Sequence, residues 1–427
     1  MSVIGIASIV VLVLVFLKVP VFVSLLCGSM AYFVLTPGIA TQLFAQRMLA
    51  GMNNLALLAV PFFVCAGIFM NYSGVTKRVM AFCQLLTHRM NGGLAQVNVL
   101  LSTLMGGLSG SNLADAAMEA KMLVPEMEKA GYSKEFSTVV TATSSVITPL
   151  IPPGIAMILY GSIANVSIGK LFIAGIGPGI LLCVTLMILV AVISKKRGYE
   201  PAKKEKLPEG HAATVIRQAI LPLCLPIIII GGVRFGVFTA TEAGVVAIVY
   251  SIVLGLIYKE LTLDTIIQGV KETISTTASI MLIVGAASAF AWILTKERIP
   301  QELTALIVGI TSNKYIFLIV INIFLLIVGM FIEGTAAMVV LVPLLAPVAA
   351  AFGINEIQFA MVVIFNLALG CLTPPMGILM FVSCDITKCK IKDFIRESVP
   401  FYGILLLCLM LLTFVPAFTS GLVNLLF

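Results

Sequence analysis

Apolar residues come in long uninterrupted windows, at about positions 3–17, 20–35, 55–72, 94–110, 136–164 and 171–193. They resume at about 218–233, 240–257, 275–294, 315–350, 356–386 and 399–427. Each window is long enough, or nearly so, to cross a hydrocarbon core of about 30 Å as a helix. Between the two sets lies a polar stretch, 194–213, which carries Lys195, Lys196, Arg197, Lys203, Lys204 and Lys206 with Pro201, Pro208 and Gly210. The pattern predicts an all-α polytopic membrane protein in two halves, 1–193 and 214–427, joined by a basic linker. Positive charge in such a loop places it in the cytoplasm.

Two windows contain prolines that a spanning helix cannot absorb. Thr148-Pro149-Leu150-Ile151-Pro152-Pro153-Gly154 sits inside 136–164, and Leu372-Thr373-Pro374-Pro375-Met376-Gly377 inside 356–386. Proline removes a backbone donor and its ring clashes with the preceding turn, so both helices are expected to break at mid-membrane. The freed carbonyls need partners, and irregular backbone survives in a bilayer only where protein buries it or a wet cavity borders it. The breaks lie 222 positions apart. The same offset pairs Gln46 with Gln268, Gly107 with Gly329, Pro125 with Pro347, Gly131 with Gly353, Lys170 with Lys392, Phe172 with Phe394 and Pro178 with Pro400. Prolines recurring at one offset point to two copies of one unit, the repeat construction of many secondary transporters.

Charge orients the copies. With the N-terminus outside, Lys18, then Lys77, Arg78 and Arg89, then Lys121, Lys129 and Lys134, and then the linker all fall inside. So do Lys259 and the cluster Lys388, Lys390, Lys392 and Arg396, as the positive-inside bias requires. This needs about five crossings per copy plus one re-entrant helical hairpin, and the odd number inverts the second copy. Both termini then face the periplasm. Twelve plain spans with parallel halves would instead put the Lys121–Lys134 cluster and the linker on opposite faces. The hairpins are expected at 93–130, where Gly106, Gly107 and Gly110 permit a tight reversal and the chain then descends to a charged loop, Glu119–Glu135, and at 315–350, where Glu333-Gly334-Thr335 holds the equivalent place. Segments 40–54, 76–90, 262–275 and 296–312 mix charge with apolar spacing and are expected to lie in the interface.

Composition agrees. The chain has 427 residues, 60% of them apolar and 11% charged, too little polar residue to clothe a water-soluble domain. Val3–Leu17 is followed by Lys18 and by no small-residue cleavage site, so it is expected to be a retained span rather than a signal peptide. Nine cysteines are scattered without CxxC spacing, as small apolar fillers are. The net charge of +7 sits in loops; in a membrane protein it reports orientation, and no nucleic-acid partner is expected.

An enzyme is not expected. His88 and His211 fall in charged, loop-like stretches, and neither HExxH, GxSxG nor GxxxxGK[ST] occurs, so no nucleotide is expected either. What remains at the predicted midplane is oxygen: Ser109, Ser111, Asn112 and Thr148 with the carbonyls released around Pro149 and Pro152, and in the second copy Glu333, Gly334, Thr335, Asn366 and Thr373. Hard oxygen ligands of low total charge suit Na⁺, which unwound backbone coordinates in secondary transporters. The same groups could equally bond neighbouring helices together. A carboxylate near the bilayer centre costs about 2.5–3.5 kcal/mol on insertion scales and marks a pathway, which singles out Asp115 and Glu333; the alternative for Asp115 is to serve backbone amides at a helix start. Half-helix N-termini after the breaks, from Gly154 and from Met376, point positive ends inward and favour an anionic substrate, with Ser111 and Asp115 beside it.

The motifs Leu108-Ser109-Gly110-Ser111-Asn112-Leu113-Ala114-Asp115, Ile151-Pro152-Pro153-Gly154-Ile155-Ala156-Met157, Lys170-Leu171-Phe172-Ile173-Ala174-Gly175, Thr239-Ala240-Thr241-Glu242-Ala243-Gly244 and Leu372-Thr373-Pro374-Pro375-Met376-Gly377 resemble the large membrane subunit of the tripartite ATP-independent periplasmic (TRAP) transporters. The resemblance covers nearly the whole chain. Ile155–Gly175, with Ser194-Lys195-Lys196-Arg197-Gly198-Tyr199, is most similar to the sialic-acid members. It implies an elevator-type permease of the bacterial inner membrane that carries an organic acid with Na⁺. A periplasmic binding protein would deliver the substrate and a separate small four-helix membrane subunit would enlarge the scaffold. Ser109, Ser111, Asp115 and Glu333 match positions that bind ion or substrate in such proteins; Asn112 departs from the small residue found there in many members. The other readings are a TRAP permease for C4-dicarboxylates or sugar acids, and a stand-alone sodium/carboxylate symporter.

Overall fold

Where the chain was expected to span, it is helical. The computed structural model describes residues 2–17, 19–199, 211–310 and 313–427, with the backbone alone at Leu108, Ser109, His211 and Ile310, and no strand occurs among the described residues. In the first half α1 (Val3–Phe16), α2 (Val21–Leu35) and α3 (Gln42–Met52) lead through a 3-10 turn, Leu55–Leu58, into α4 (Ala59–Tyr72) and α5 (Val75–Thr87). There follow α6 (Gly93–Ser109), α7 (Asn112–Met122), α8 (Val124–Lys129), α9 (Lys134–Ser144), a 3-10 turn at Thr148–Leu150, α10 (Ile155–Ala164) and α11 (Ile168–Arg197). The second half comprises α12 (His211–Arg234), α13 (Ala240–Ile257), α14 (Leu263–Lys296), α15 (Ile299–Ile310), α16 (Lys314–Phe331), α17 (Gly334–Ala351), α18 (Glu356–Gly370), α19 (Ile378–Thr387), α20 (Ile391–Phe414) and α21 (Ala417–Leu426). Among the described residues eight helices are long and apolar enough to cross a membrane, and the bent pair Lys134–Leu150 with Ile155–Ala164, angled by 41°, would make a ninth.

Displaced by 222 positions, α6 falls on α16, α7 with α8 on α17, α9 on the start of α18, α10 on α19 and α11 on α20. The prolines interrupt helices at both expected stretches: 145–154 separates α9 from α10, and 371–377 separates α18 from α19. The Pro152–Pro153 and Pro374–Pro375 peptide bonds are both cis. These interrupted helices lie at the centre of the molecule. Every residue of α18 from Ile357 to Gly370 is buried, as is every residue of α9 from Phe136 onward. At the first break, 145–154, the backbone that has lost its helical bonds is buried apart from a half-buried Ile151, whereas at the second break Pro375 and Met376 are exposed; irregular backbone of this kind needs cover from protein or a wet cavity in a bilayer.

Glycines let the flanking hairpins lean directly on this backbone. A Cβ on Gly107 of α6 would lie 2.2 Å from the Pro152 carbonyl oxygen, and one on Gly329 of α16 would lie 2.9 Å from Gly370 Cα. Around the centre α2, α3, α4, α13 and α14 pack on one another, and α14 also touches α17. Trp292 stacks on Phe33 at 5.6 Å between ring centroids, with the Arg47 guanidinium 5.1 Å above its ring.

Three expectations are corrected. Segment 262–275 is not a separate interfacial helix but the opening turns of α14, which runs unbroken for 34 residues. In the first half the path is cut at Asn53 and Asn54, whose short amides favour caps over helix interiors; the Asn54 side chain accepts from the Ala56 N–H at 3.0 Å and starts the next turn. Ser275 and Thr276 stand at the matching positions, and hydroxyls here bond back within the helix, as Thr273 does to the Gly269 carbonyl at 2.7 Å. Second, Glu119 was placed in a charged loop, but it lies inside α7, four residues after Asp115 and on the same buried face. Third, Lys195, Lys196 and Arg197 form the last turn of α11 rather than a linker, closed by Gly198 at φ +71°; linker residues 200–210 lie outside the described residues.

Candidate functional site

Each hairpin reverses in two residues, Gly110-Ser111 and Ile332-Glu333, and each reversal ends on an N-cap. In the first, Gly110 takes φ +62° to close α6, a conformation glycine adopts at no steric cost. Ser111 then accepts from the Ala114 N–H at 3.4 Å and opens α7. In the second, Glu333 accepts from the Ala336 N–H at 3.0 Å and from the Thr335 hydroxyl, opening α17. A carboxylate at that position matches the positive end of the helix dipole. The third helix start is α10, which follows Gly154 with no side-chain cap, so its first N–H groups have no partner within the helix.

These three N-termini meet at one cavity of about 180 Å³. Its wall is made by Gly110, Ser111 and Asn112 of the first reversal, Pro149, Ile155 and Ala156 of the first break, and Glu333, Gly334 and Thr335 of the second reversal. Thr276 and Ile280 of α14 close it from the other side. The space thus combines backbone dipoles directed at an anion, hydroxyl and amide oxygens, and one carboxylate.

Of the residues singled out from sequence, Ser111, Asn112, Pro149, Glu333, Gly334 and Thr335 are brought together at this cavity. Asn112 spends its Oδ1 on the Leu113 N–H at 3.0 Å. Gly154 is buried immediately before α10, where an added Cβ would lie 2.8 Å from the Pro149 carbonyl oxygen. Pro152 turns its carbonyl to Gly107. The other positions lie elsewhere. Thr148 donates its hydroxyl to Asp115 Oδ2 at 2.9 Å, in the buried layer behind the first reversal. Asn366 donates to the Asn322 carbonyl at 3.0 Å and to its Oδ1 at 2.9 Å, tying α18 to α16. Thr373 bonds back to the Leu369 carbonyl at 2.7 Å, and Met376 is 36% exposed in the second break. The side chain of Ser109 lies outside the described residues, its backbone ending α6.

Two groups of residues escaped the sequence reading. The α14 contribution was hidden because 262–275 looked like a separate surface helix; the run of hydroxyls Thr273, Ser275, Thr276, Thr277 and Ser279 at the start of an apolar window was the available signal. The other is a buried polar layer behind the first reversal. There Glu119 Oε2 accepts from the Ser102 hydroxyl at 2.8 Å, Ser144 donates to Asn98 Oδ1 at 3.1 Å, and Asn98 donates to Thr141 at 2.6 Å. The i, i+4 spacing of Asp115 and Glu119, which puts both on one helical face, would have found it.

Interrupted helices at the centre, flanked by paired helical hairpins whose reversals meet over a small cavity, are the construction of a multi-pass membrane transporter. The family description "Tripartite ATP-independent periplasmic transporter, DctM component" matches residues 8–418, and the chain belongs to that family. It is 40% identical to the sialic acid TRAP transporter large permease protein SiaM of Vibrio cholerae, over 95% of each chain. It is 34% identical to the C4-dicarboxylate TRAP transporter large permease protein DctM of Pseudomonas aeruginosa, over 93% of each. In fold it is similar to the YdaH transporter of Alcanivorax borkumensis, described as having an unusual topology, with a TM-score of 0.61, 14% identity and 91% of each chain covered.

Proposed function

We propose that the chain is the permease of a sodium-coupled importer for a carboxylate-bearing organic acid, with sialic acid (N-acetylneuraminate) as the first candidate. The observation that carries this reading is the shared cavity, lined by both reversals and by α14. Three helix N-termini favour the carboxylate of an anionic substrate. Glu333 beside them would repel that anion unless a cation stood between, and the oxygens of Ser111, Asn112, Pro149, Gly334 and Thr335 with the Glu333 carboxylate suit Na⁺ in that role. The 40% identity to a sialic acid permease favours that substrate over a C4-dicarboxylate.

At about 180 Å³ the cavity is smaller than the roughly 300–1,000 Å³ of sites that enclose drug-sized ligands. Admitting a sugar acid therefore requires the hairpins to shift against α14, which fits an elevator in which the central helices slide along a frame of α2, α3, α4, α13 and α14. The 222-residue offset in element boundaries, with positive charge counted to one face, supports two inverted copies, a cytoplasmic linker and periplasmic termini in the inner membrane. A small four-helix membrane subunit and a periplasmic binding protein complete the system, as the word tripartite in the family description suggests.

The test is uptake of labelled sialic acid into liposomes holding the chain and its small subunit, with binding protein added outside. Uptake driven by an inward Na⁺ gradient, absent with K⁺ and reduced at least tenfold by Glu333→Gln, is expected. Uptake without the binding protein, or unaffected by exchanging Na⁺ for K⁺, would remove this reading.

A further inference from the structure

Asp115 and Glu119 are the two fully buried acids among the described residues, both with no exposed surface, and no Lys, Arg or His is buried among those residues. They stand one turn apart on α7. Each has one oxygen served by a hydroxyl, Asp115 by Thr148 at 2.9 Å and Glu119 by Ser102 at 2.8 Å; the Ser144 hydroxyl lies 3.5 Å from Glu119 at the limit of a bond. The other oxygen of each, Asp115 Oδ1 and Glu119 Oε1, is buried with no partner.

The groups around Glu119 are neutral. α6 presents Asn98 and Ser102, α9 presents Thr141 and Ser144, and the stretch that follows presents Ser145 and Thr148. Of the titratable groups on neighbouring elements, Cys83 of α5, Cys183 of α11 and Cys384 of α19 are buried thiols. Asp385 of α19, Lys121 of α7, and Glu126, Glu128 and Lys129 of α8 are exposed, and Lys134 and Glu135 stand at the far, N-terminal end of α9. Among the described residues no basic side chain is therefore placed to neutralise two carboxylates. Two negative charges one turn apart in a buried layer are costlier than one charge and one acid.

The helix itself chooses between the two. Asp115 lies in the first turn of α7, where the N-terminal dipole favours a negative charge, while Glu119 is a turn further on and close to the C-terminal end at Met122. In the second half the positions 222 residues on from Asn98, Ser102, Asp115, Glu119 and Thr141 are Val320, Phe324, Ala337, Leu341 and Val363. Ser144 has a polar counterpart, Asn366, but the acidic pair has none: it is built into the first half alone.

We propose that Glu119 is a proton-binding site, a carboxylic acid at neutral pH, so that the pair on α7 carries one negative charge, on Asp115. The proton keeps the returning leg of the first hairpin seated while leaving charge only on the acid nearer the cavity. Infrared spectra of the full chain in lipid test this without reference to substrate or to transport. A protonated-carboxyl C=O band is expected at neutral pH, unchanged when K⁺ is exchanged for Na⁺ and lost in Glu119→Gln. Absence of the band from the parent protein, its persistence in Glu119→Gln, or its loss on adding Na⁺ (which would make this a cation site) would overturn the proposal. Should Glu119→Gln not be recovered folded, Ser102→Ala removes the hydroxyl from Oε2 and should shift the band; a band indifferent to that change overturns the proposal as well.

Discussion

Replacing Gly107 by alanine should be among the most damaging methyl additions in the chain. The new Cβ would lie 2.2 Å from the Pro152 carbonyl oxygen, 2.8 Å from its carbonyl carbon and 3.2 Å from Pro153 Cδ. Ordinary contact begins at 3.4 Å, so α6 and the first break must part by roughly 1.2 Å, the difference between 3.4 and 2.2 Å. Backbone and a proline ring cannot yield as a flexible side chain would, which puts the cost toward the upper end of the roughly 1–3 kcal/mol typical of overpacking. Alanine returns up to about 1 kcal/mol of helix propensity, leaving a net loss of about 1–2 kcal/mol, a factor of roughly 5–30 in the ratio of packed to parted arrangements. Gly403→Ala is the control. It makes the same chemical change inside α20, where a Cβ meets nothing within 4 Å. The melting temperature should fall for Gly107→Ala, and uptake per inserted molecule, measured in liposomes with the complete system, should fall by up to that factor; both should stay near the parent's for Gly403→Ala, uptake within about twofold, about 0.4 kcal/mol. Equal uptake and equal melting temperatures for the two variants would show that the hairpin does not rest on the break as described.

Thr148→Val removes the hydroxyl that Asp115 accepts at 2.9 Å and should lower the thermal midpoint by an amount equivalent to about 1–3 kcal/mol, with Thr148→Ser restoring most of it; equal midpoints for the Val and Ser variants would contradict the bond. Asn366→Ala should destabilise by a similar amount, because it strands the Asn322 amide between α16 and α18, while leaving the Na⁺ concentration for half-maximal uptake within about twofold. A large change in that concentration with an unaltered midpoint would return Asn366 to the ion site.

How much of this could be read from residues alone follows from what each feature depends on. The breaks were legible because proline acts on its own backbone, so Pro149, Pro152, Pro153, Pro374 and Pro375 declare themselves without any knowledge of neighbours. The hairpin reversals were legible for the same reason at Gly110 and at Glu333-Gly334. Which oxygens face the cavity was not, because that depends on rotation about helix axes set by packing. Asn366 and Thr373 are ion ligands by type; the Asn366 amide nitrogen donates to Asn322 and the Thr373 hydroxyl to the Leu369 carbonyl, bonds that no sequence pattern announces. Glu119 was misplaced because a dense run of charge from Glu119 to Glu135 resembles a solvated loop until the helical face of its first member is considered. The unbroken α14 was missed because Lys271 and Glu272 suggested a surface, whereas nothing in the segment forces the helix to stop.

The central claim is that the cavity beneath the two reversals opens and closes against α14 once per cycle. Thr335 and Thr276 line it from opposite sides. In a background freed of the nine native cysteines, Thr335→Cys with Thr276→Cys can be joined by a short thiol crosslinker in the assembled system. Joining them should abolish the uptake that the unjoined double variant retains, reduction should restore that level, and the same treatment should leave the uptake of either single cysteine variant unchanged. Undiminished uptake by a fully crosslinked double variant would contradict the account.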